Sequence, residues 1–184
     1  MALRYAGIEV EHREIALRDK PQSMLLASPK GTVPVLCVDG VVLDQSLDIM
    51  YWALDKSDPN NWRAVDETAA QAWIQKNDGP FKTVLDQYKY PNRYPDLQQE
   101  ETLAKAMELM LEPMETSLQK NQYLMGNCIS WVDIAIFPFI RQFSKAEPLQ
   151  FEGLSLPNLK KWLNQLMASD LFASAMGKYP TWID

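Results

Sequence analysis

The segment SPKGTVPVLCVDGVVLDQSLDI, residues 28–49, gives the strongest indication of the fold of this chain. Two runs of β-type residues, 34–38 and 41–43, flank an Asp-Gly dipeptide, and this arrangement is a strong signal for a two-stranded hairpin. Apolar residues with helical spacing follow, so we expect a helix over residues 45–54. The stretch therefore predicts an α/β unit in which a hairpin leads directly into a helix.

The residues before this stretch extend the same unit. Residues 1–6 have helical spacing and end at Gly7, a residue that commonly stops a helix. Residues 8–15 are rich in β-type side chains and predict a strand. We therefore assign residues 1–56 to an N-terminal α/β domain.

The chain changes character after residue 56. Residues 57–65 are polar and predict a linker. Apolar residues then repeat at spacings of three and four over 103–118 and 156–166, which predicts amphipathic helices. Residues 129–140 are apolar on nearly all sides and predict a buried helix. We assign residues 66–184 to an all-helical C-terminal domain.

Composition excludes several classes of function. The 184 residues carry a net charge of −6, and no cluster of Lys and Arg is present that could neutralise nucleic-acid phosphates. Two cysteines and one histidine argue against a disulfide framework, a His-rich metal site and a Ser-His-Asp triad. No apolar run reaches the ~20 residues that a membrane helix needs. We expect a cytoplasmic protein without a metal, a nucleic-acid partner or a membrane partner.

The same stretch, residues 28–49, resembles the N-terminal domain of the glutathione S-transferase family, which has a thioredoxin-like fold. In that family the Val-Pro bond is cis, and the residue before the proline pairs like a strand with the cysteinyl part of glutathione. The resemblance assigns these roles to Val33 and Pro34. A backbone whose N–H and C=O are free can bind an extended peptide in this way. The alternative interpretation is a trans proline that opens an edge strand.

The resemblance also implies a role for Gln45 and Ser46. In the family an acidic or amide residue followed by serine opens the third helix and holds the γ-glutamyl group of glutathione. A helix N-terminus presents free N–H groups and a positive dipole to a carboxylate. The alternative is that Asp44 or Ser46 only caps the helix. Lys30 could attract a glutathione carboxylate, or it could be an ordinary exposed loop lysine.

Two further features lie in the helical domain. Ser130 and Asp133 match the family's Ser/Thr-x-x-Asp folding motif, a capping box with a structural role at the start of a buried helix. The aromatic residues of the first helical region allow two interpretations, an apolar pocket for an electrophile or ordinary packing between helices. These residues are Phe81, Tyr88, Tyr90 and Tyr94.

The chain departs from the family pattern at its start. The family's first strand and its catalytic Tyr, Ser or Cys would lie upstream of Met1, and no residue of this sequence matches that catalytic residue. We interpret Cys37 as an inert, buried thiol in a strand. The thioredoxin-like domain is therefore expected to be incomplete, and residues 9–15 to be displaced, loosely ordered or completed by a partner chain.

The resemblance implies a homodimeric protein that binds glutathione and, in full-length form, conjugates it to a small apolar electrophile. Two alternatives stay open on the sequence. The chain could be a non-enzymatic protein-interaction module, because one fold hosts many functions. It could also be a glutathione-dependent thiol-disulfide reductase, if an upstream cysteine supplies the reactive thiol.

Overall fold

The computed structural model describes residues 1–184, which form a short hairpin and eleven α-helices. The strands are β1 (Leu36–Val38) and β2 (Val41–Leu43). The helices are α1 (Ala2–Tyr5), α2 (Gln22–Ala27), α3 (Ser46–Lys56), α4 (Glu67–Lys76), α5 (Lys82–Lys89), α6 (Gln99–Ala106), α7 (Glu112–Lys120), α8 (Trp131–Ala146), α9 (Pro148–Gly153), α10 (Pro157–Met167) and α11 (Asp170–Ala175).

The contacts between residues divide the chain into two units. The first unit comprises Met1–Asn60 and Asp170–Asp184, and the second comprises Asn61–Ser169. The sequence-based division assigns residues 170–184 to the helical domain instead. These residues group with the first unit because α11 packs against α1 and because Thr181 pairs with Glu14.

The predicted hairpin is confirmed. β1 and β2 are antiparallel, with Leu36 opposite Leu43 and Val38 opposite Val41. Asp39 and its successor Gly40 both have positive φ, 48° and 77°, as the tight two-residue turn requires. The helix predicted over residues 45–54 is also confirmed, because α3 follows the hairpin and buries four apolar side chains. These are Ile49, Met50, Ala53 and Leu54.

The prediction of a strand over residues 8–15 is wrong. The described strands do not include this segment, and Glu14 makes only an isolated parallel bridge with Thr181. The backbone N–H of Trp182 donates a hydrogen bond to the carbonyl of Glu14 at 2.6 Å. A β-type composition does not make a strand unless a neighbour supplies a continuous ladder. The neighbour here belongs to the same chain and pairs at one position.

The second unit confirms the helical predictions. α6 and α7 are joined through a π-helical turn, Met107–Leu111, so that the predicted helix over residues 103–118 lies within one helical run. α8 buries apolar side chains around most of its circumference, as predicted for residues 129–140. α10 begins at Pro157 and buries the predicted stripe against α7 and α8. No helix of the chain has the length and apolar character needed to cross a membrane.

The predicted capping box at the start of α8 is confirmed. The backbone N–H and the hydroxyl of Ser130 both donate to one carboxylate oxygen of Asp133, at 3.0 and 2.7 Å. The other oxygen accepts from the Leu124 N–H and from the Trp162 indole N–H, each at 2.9 Å. Asp133 is fully buried, and burial raises the pKa of its carboxyl despite these hydrogen bonds. The motif therefore joins three separate segments of the second unit.

Candidate functional site

A tight turn connects α2 to the segment that contains Val33. The N–H of Gly31 donates to the carbonyl of buried Ser28 at 3.0 Å, and Gly31 has a φ of +60°. A side chain at Gly31 would be strained at this φ, and its Cβ would lie 3.3 Å from a methyl group of Leu25. Glycine thus lets the chain reverse closely over α2 before it reaches Val33.

The bond between Val33 and Pro34 is cis, as the resemblance implied. Val33 is 50% exposed, and no backbone hydrogen bond of the chain involves it. Its N–H and C=O therefore remain available to an added strand, as the sequence-based interpretation requires.

Val33 borders a groove of about 150 Å³ in the first unit. Val33, Val35 and Cys37 alternate along one face of the chain and form one wall, and α2 contributes another. Cys37 is exposed, so the interpretation of its thiol as buried is wrong. The hairpin has no further strand beside β1 that would cover this side chain. The groove is lined by Arg13, Ile15, Pro21, Ser23, Met24, Ala27, Val33, Val35, Cys37 and Trp182.

Gln45 and Ser46, the residues predicted to hold the γ-glutamyl group, lie at the N-terminus of α3. Gln45 occupies the N-cap position with an extended backbone, and Ser46 is the first helical residue. Both side chains are exposed, and the Gln45 side chain does not cap the helix. The carboxylate of Asp44 faces Ser28 and Lys30 instead of the helix. The first turn of α3 therefore keeps N–H groups that can donate hydrogen bonds to a ligand carboxylate.

Lys30 and Ser28 hold Asp44 from two sides. The Lys30 ammonium lies 2.8 Å from one carboxylate oxygen, and the Ser28 hydroxyl donates to the other at 2.9 Å. The hydrogen bond from Lys30, followed by that from Ser28, lowers the pKa of the Asp44 carboxyl. Lys30 thus has a carboxylate partner within the chain, and the pair ties the 28–31 turn to the residue that precedes Gln45.

Lys30→Gln is expected to raise the pKa of Asp44 toward the ordinary value of ~3.9, because the larger of its two stabilising hydrogen bonds loses its charge. Ser28→Ala should raise the pKa by less. The carboxyl carbon shift of Asp44, followed by NMR between pH 2 and 6, measures both. Since the folded pKa is depressed, the Asp44 contribution to stability is present above the unfolded pKa and is lost as the pH falls through the folded value. An unchanged Asp44 titration in Lys30→Gln would contradict the ion pair.

The aromatic residues of the helical region divide into two groups. Phe81 and Tyr88 are buried in the second unit, where Tyr88 stacks on Phe143 with ring centroids 4.3 Å apart. Burial, together with Glu147, raises the pKa of Tyr88 to about 12. Tyr94 donates to Asp86 at 2.6 Å and lines a cleft shared with charged side chains. Ordinary packing thus accounts for Phe81 and Tyr88.

Sequence reasoning missed three residues at the groove beside Val33. Arg13, Ser23 and Trp182 line it, although they are distant in sequence and belong to no motif. The Arg13 guanidinium lies 4.1 Å from the centre of a Trp182 ring. No group of three or more His, Cys, Asp or Glu side chains in the chain is arranged to hold a metal ion.

Comparison with known proteins finds glutathione transferases both by sequence and by structure. Glutathione S-transferase 3 of Caenorhabditis elegans is 26% identical over 180 residues, which cover 86% of this chain and 84% of that protein. Glutathione S-transferase U22 of Arabidopsis thaliana is 28% identical over 155 residues, 81% of this chain and 69% of that protein. A glutathione transferase family member from Pseudomonas fluorescens, whose structure was solved with two glutathione bound, has the same fold. The two structures align with a TM-score of 0.74 and 19% sequence identity, and the alignment covers 94% of this chain and 84% of that one.

Family models match both halves of the chain. The glutathione S-transferase N-terminal domain matches residues 1–62, and the glutathione S-transferase C-terminal domain matches residues 81–170. The first match contains the cis Val33-Pro34 bond and the start of α3, and the second contains the capping box of α8. Since both domains of one family occur here in the family's order, this chain belongs to the glutathione S-transferase family.

Proposed function

We propose that this chain binds glutathione through the backbone of Val33 and the N-terminus of α3, and that the protein transfers the bound thiol to an electrophile. The observation that carries the proposal is the backbone of Val33, a half-exposed residue that precedes a cis proline, makes no backbone hydrogen bond within the chain and borders a groove. Glutathione is an extended peptide, and such peptides bind by adding main-chain hydrogen bonds to an unpaired segment.

The two ends of the proposed site bind different parts of glutathione. The N–H and C=O of Val33 pair with the cysteinyl residue, while Pro34 has no N–H to donate. The γ-glutamyl carboxylate accepts hydrogen bonds from the N–H groups of the first turn of α3, with the Ser46 hydroxyl and the Gln45 amide as additional donors. Lys30 acts through Asp44, because their ion pair fixes the chain just before Gln45.

The proposed reaction is conjugation with a small apolar electrophile. The glutathione thiol loses its proton to solvent, and the thiolate attacks the electrophilic carbon. A carbon–sulfur bond forms as the leaving group departs with its bonding electron pair. From the family relationship we also propose a homodimer.

Ser46→Ala and Gln45→Ala are expected to weaken glutathione binding by about 10- to 100-fold each, because a hydrogen bond to a charged group contributes ~1.5–3 kcal/mol. Isothermal titration of the full chain with glutathione measures the change. Gln119→Ala is a matched control, since Gln119 is an exposed glutamine on α7 and should leave affinity unchanged. Conjugation to an aromatic halide, followed on the same variants, tests transfer.

The titration also separates this proposal from the principal alternative. A protein-interaction module that does not use the site would show no heat of glutathione binding and no dependence on Gln45 or Ser46. That outcome would overturn the proposed function. Binding that is weakened in Ser46→Ala and unchanged in Gln119→Ala would support it.

A further inference from the structure

The 178–184 segment, Lys178–Asp184, contributes one residue to the lining of the groove beside Val33. The side chain of Trp182 lines this groove together with Val33, Val35 and Cys37. The preceding residue, Thr181, forms a parallel bridge with Glu14, and the Trp182 N–H donates to the Glu14 carbonyl. The segment thus lies against the groove as a short, strand-like piece of chain.

Side chains at both ends hold the segment in place. The Asp184 carboxylate accepts from the backbone N–H of Ser23 at 3.0 Å and from the Ser23 hydroxyl. At the other end, the ring of Tyr179 stacks on His12 with centroids 4.0 Å apart, and its hydroxyl accepts from Arg4 at 2.6 Å. These anchors join the segment to three different parts of the first unit.

The contacts that hold the 178–184 segment in place are of a kind that breaks readily. The hydrogen bonds to Asp184 and Tyr179 are exposed, so water competes for both partners of each bond. Tyr179 and Trp182 are half-buried, while the other residues of the segment are exposed, and Ile183 is 84% exposed. Segments with few buried apolar contacts and solvent-exposed hydrogen bonds open at the lowest free energies in a protein.

We propose that the 178–184 segment is a displaceable plug of the groove beside Val33, and that glutathione must displace it in order to bind. The proposal rests on the proposed function, because it concerns access to the same site. Val33 and Trp182 line the same groove, so an extended ligand that pairs with Val33 in this groove meets the Trp182 side chain. The measured association constant for glutathione is then the intrinsic constant multiplied by the fraction of molecules in which the groove is open.

Asp184→Ala tests the plug without altering the wall of the groove, which Asp184 does not line. The variant loses the anchor to Ser23, so glutathione is expected to bind about fivefold more tightly, as the open fraction rises. Trp182→Ala should act in the same direction. Ile183→Ala is the matched control, because Ile183 lies in the same segment with its side chain in solvent. Isothermal titration of the full chain measures all three.

Hydrogen exchange at the Trp182 amide is the second measurement. This N–H is bonded to Glu14 in the free protein, and saturating glutathione is expected to speed its exchange. Glutathione that binds while the Trp182 amide stays protected would overturn the plug and leave the proposed function standing. Weaker binding by Asp184→Ala would also overturn the plug, since the segment would then belong to the binding site. If neither the wild-type chain nor any variant binds glutathione, the proposed function fails, and the plug fails with it.

Discussion

Replacing Asp133 by alanine is expected to destabilise the second unit by about 4 kcal/mol. The carboxylate is fully buried and accepts hydrogen bonds from Leu124, Ser130 and Trp162. Alanine leaves these donors without an acceptor in a place that water does not reach, and each buried unsatisfied group costs ~1–3 kcal/mol. The effect therefore exceeds the loss of an ordinary helix cap, because the capping oxygens also join the 121–127 loop and α10 to α8.

Asp66→Ala is the matched control. Asp66 also stands at the start of a helix, but its carboxylate accepts one hydrogen bond, from the Ala69 N–H at 2.7 Å, and is exposed. Its removal should cost ~1 kcal/mol, the usual value for an N-cap. Urea unfolding followed by tryptophan fluorescence measures both variants. Equal losses for Asp133→Ala and Asp66→Ala would show that the buried network adds nothing beyond a local cap.

Replacing Glu115 by alanine is expected to destabilise the second unit by about 3 kcal/mol. Glu115 lies on α7 but caps the N-terminus of α10. Its carboxylate accepts from the Leu159 N–H at 2.8 Å and from the side-chain amide and backbone N–H of Asn158, at 2.7 and 3.3 Å. No side chain of α10 itself provides this cap, so alanine leaves first-turn donors unpaired in a mostly buried place.

Glu112→Ala provides the comparison on the same helix. Glu112 lies in the first turn of α7 and is exposed, and its removal should change the free energy of unfolding by less than ~0.5 kcal/mol. Thermal and urea unfolding of both variants give the difference. A Glu115→Ala variant that unfolds at the same urea concentration as Glu112→Ala would contradict the capping of one helix by another.

Features that depend on neighbouring residues could be predicted closely. The hairpin follows from two β runs around an Asp-Gly turn, and the Asp39 and Gly40 dihedral angles are those that this turn requires. The capping box follows from the spacing of Ser130 and Asp133, three residues apart. The spacing of the apolar residues predicted α3 and α10, and the mostly apolar run over residues 129–140 predicted α8. In each case the interacting groups lie within a few residues of each other, so their spacing in the sequence fixes their positions in the structure.

Features that depend on distant partners could not be predicted in this way. Residues 8–15 have a strand-like composition, but their pairing with Thr181 is set by the position of the 178–184 segment. The exposure of Cys37 depends on what covers the side of β1, and its position within a strand says nothing about that. The cap that Glu115 gives to α10 spans more than forty residues and leaves no periodic signal.

The amino-acid sequence was enough to predict the hairpin, the helices, the fold family and the residues that we propose to bind glutathione, because each rests on short-range chemistry or on a motif within residues 28–49. The contacts across the first unit follow from its packing: the groove beside Val33, the ion pair of Lys30 with Asp44, and the place of Trp182 in the lining of the groove. Such contacts form when distant segments pack together, and their geometry is fixed by that packing and not by any local preference of the residues involved.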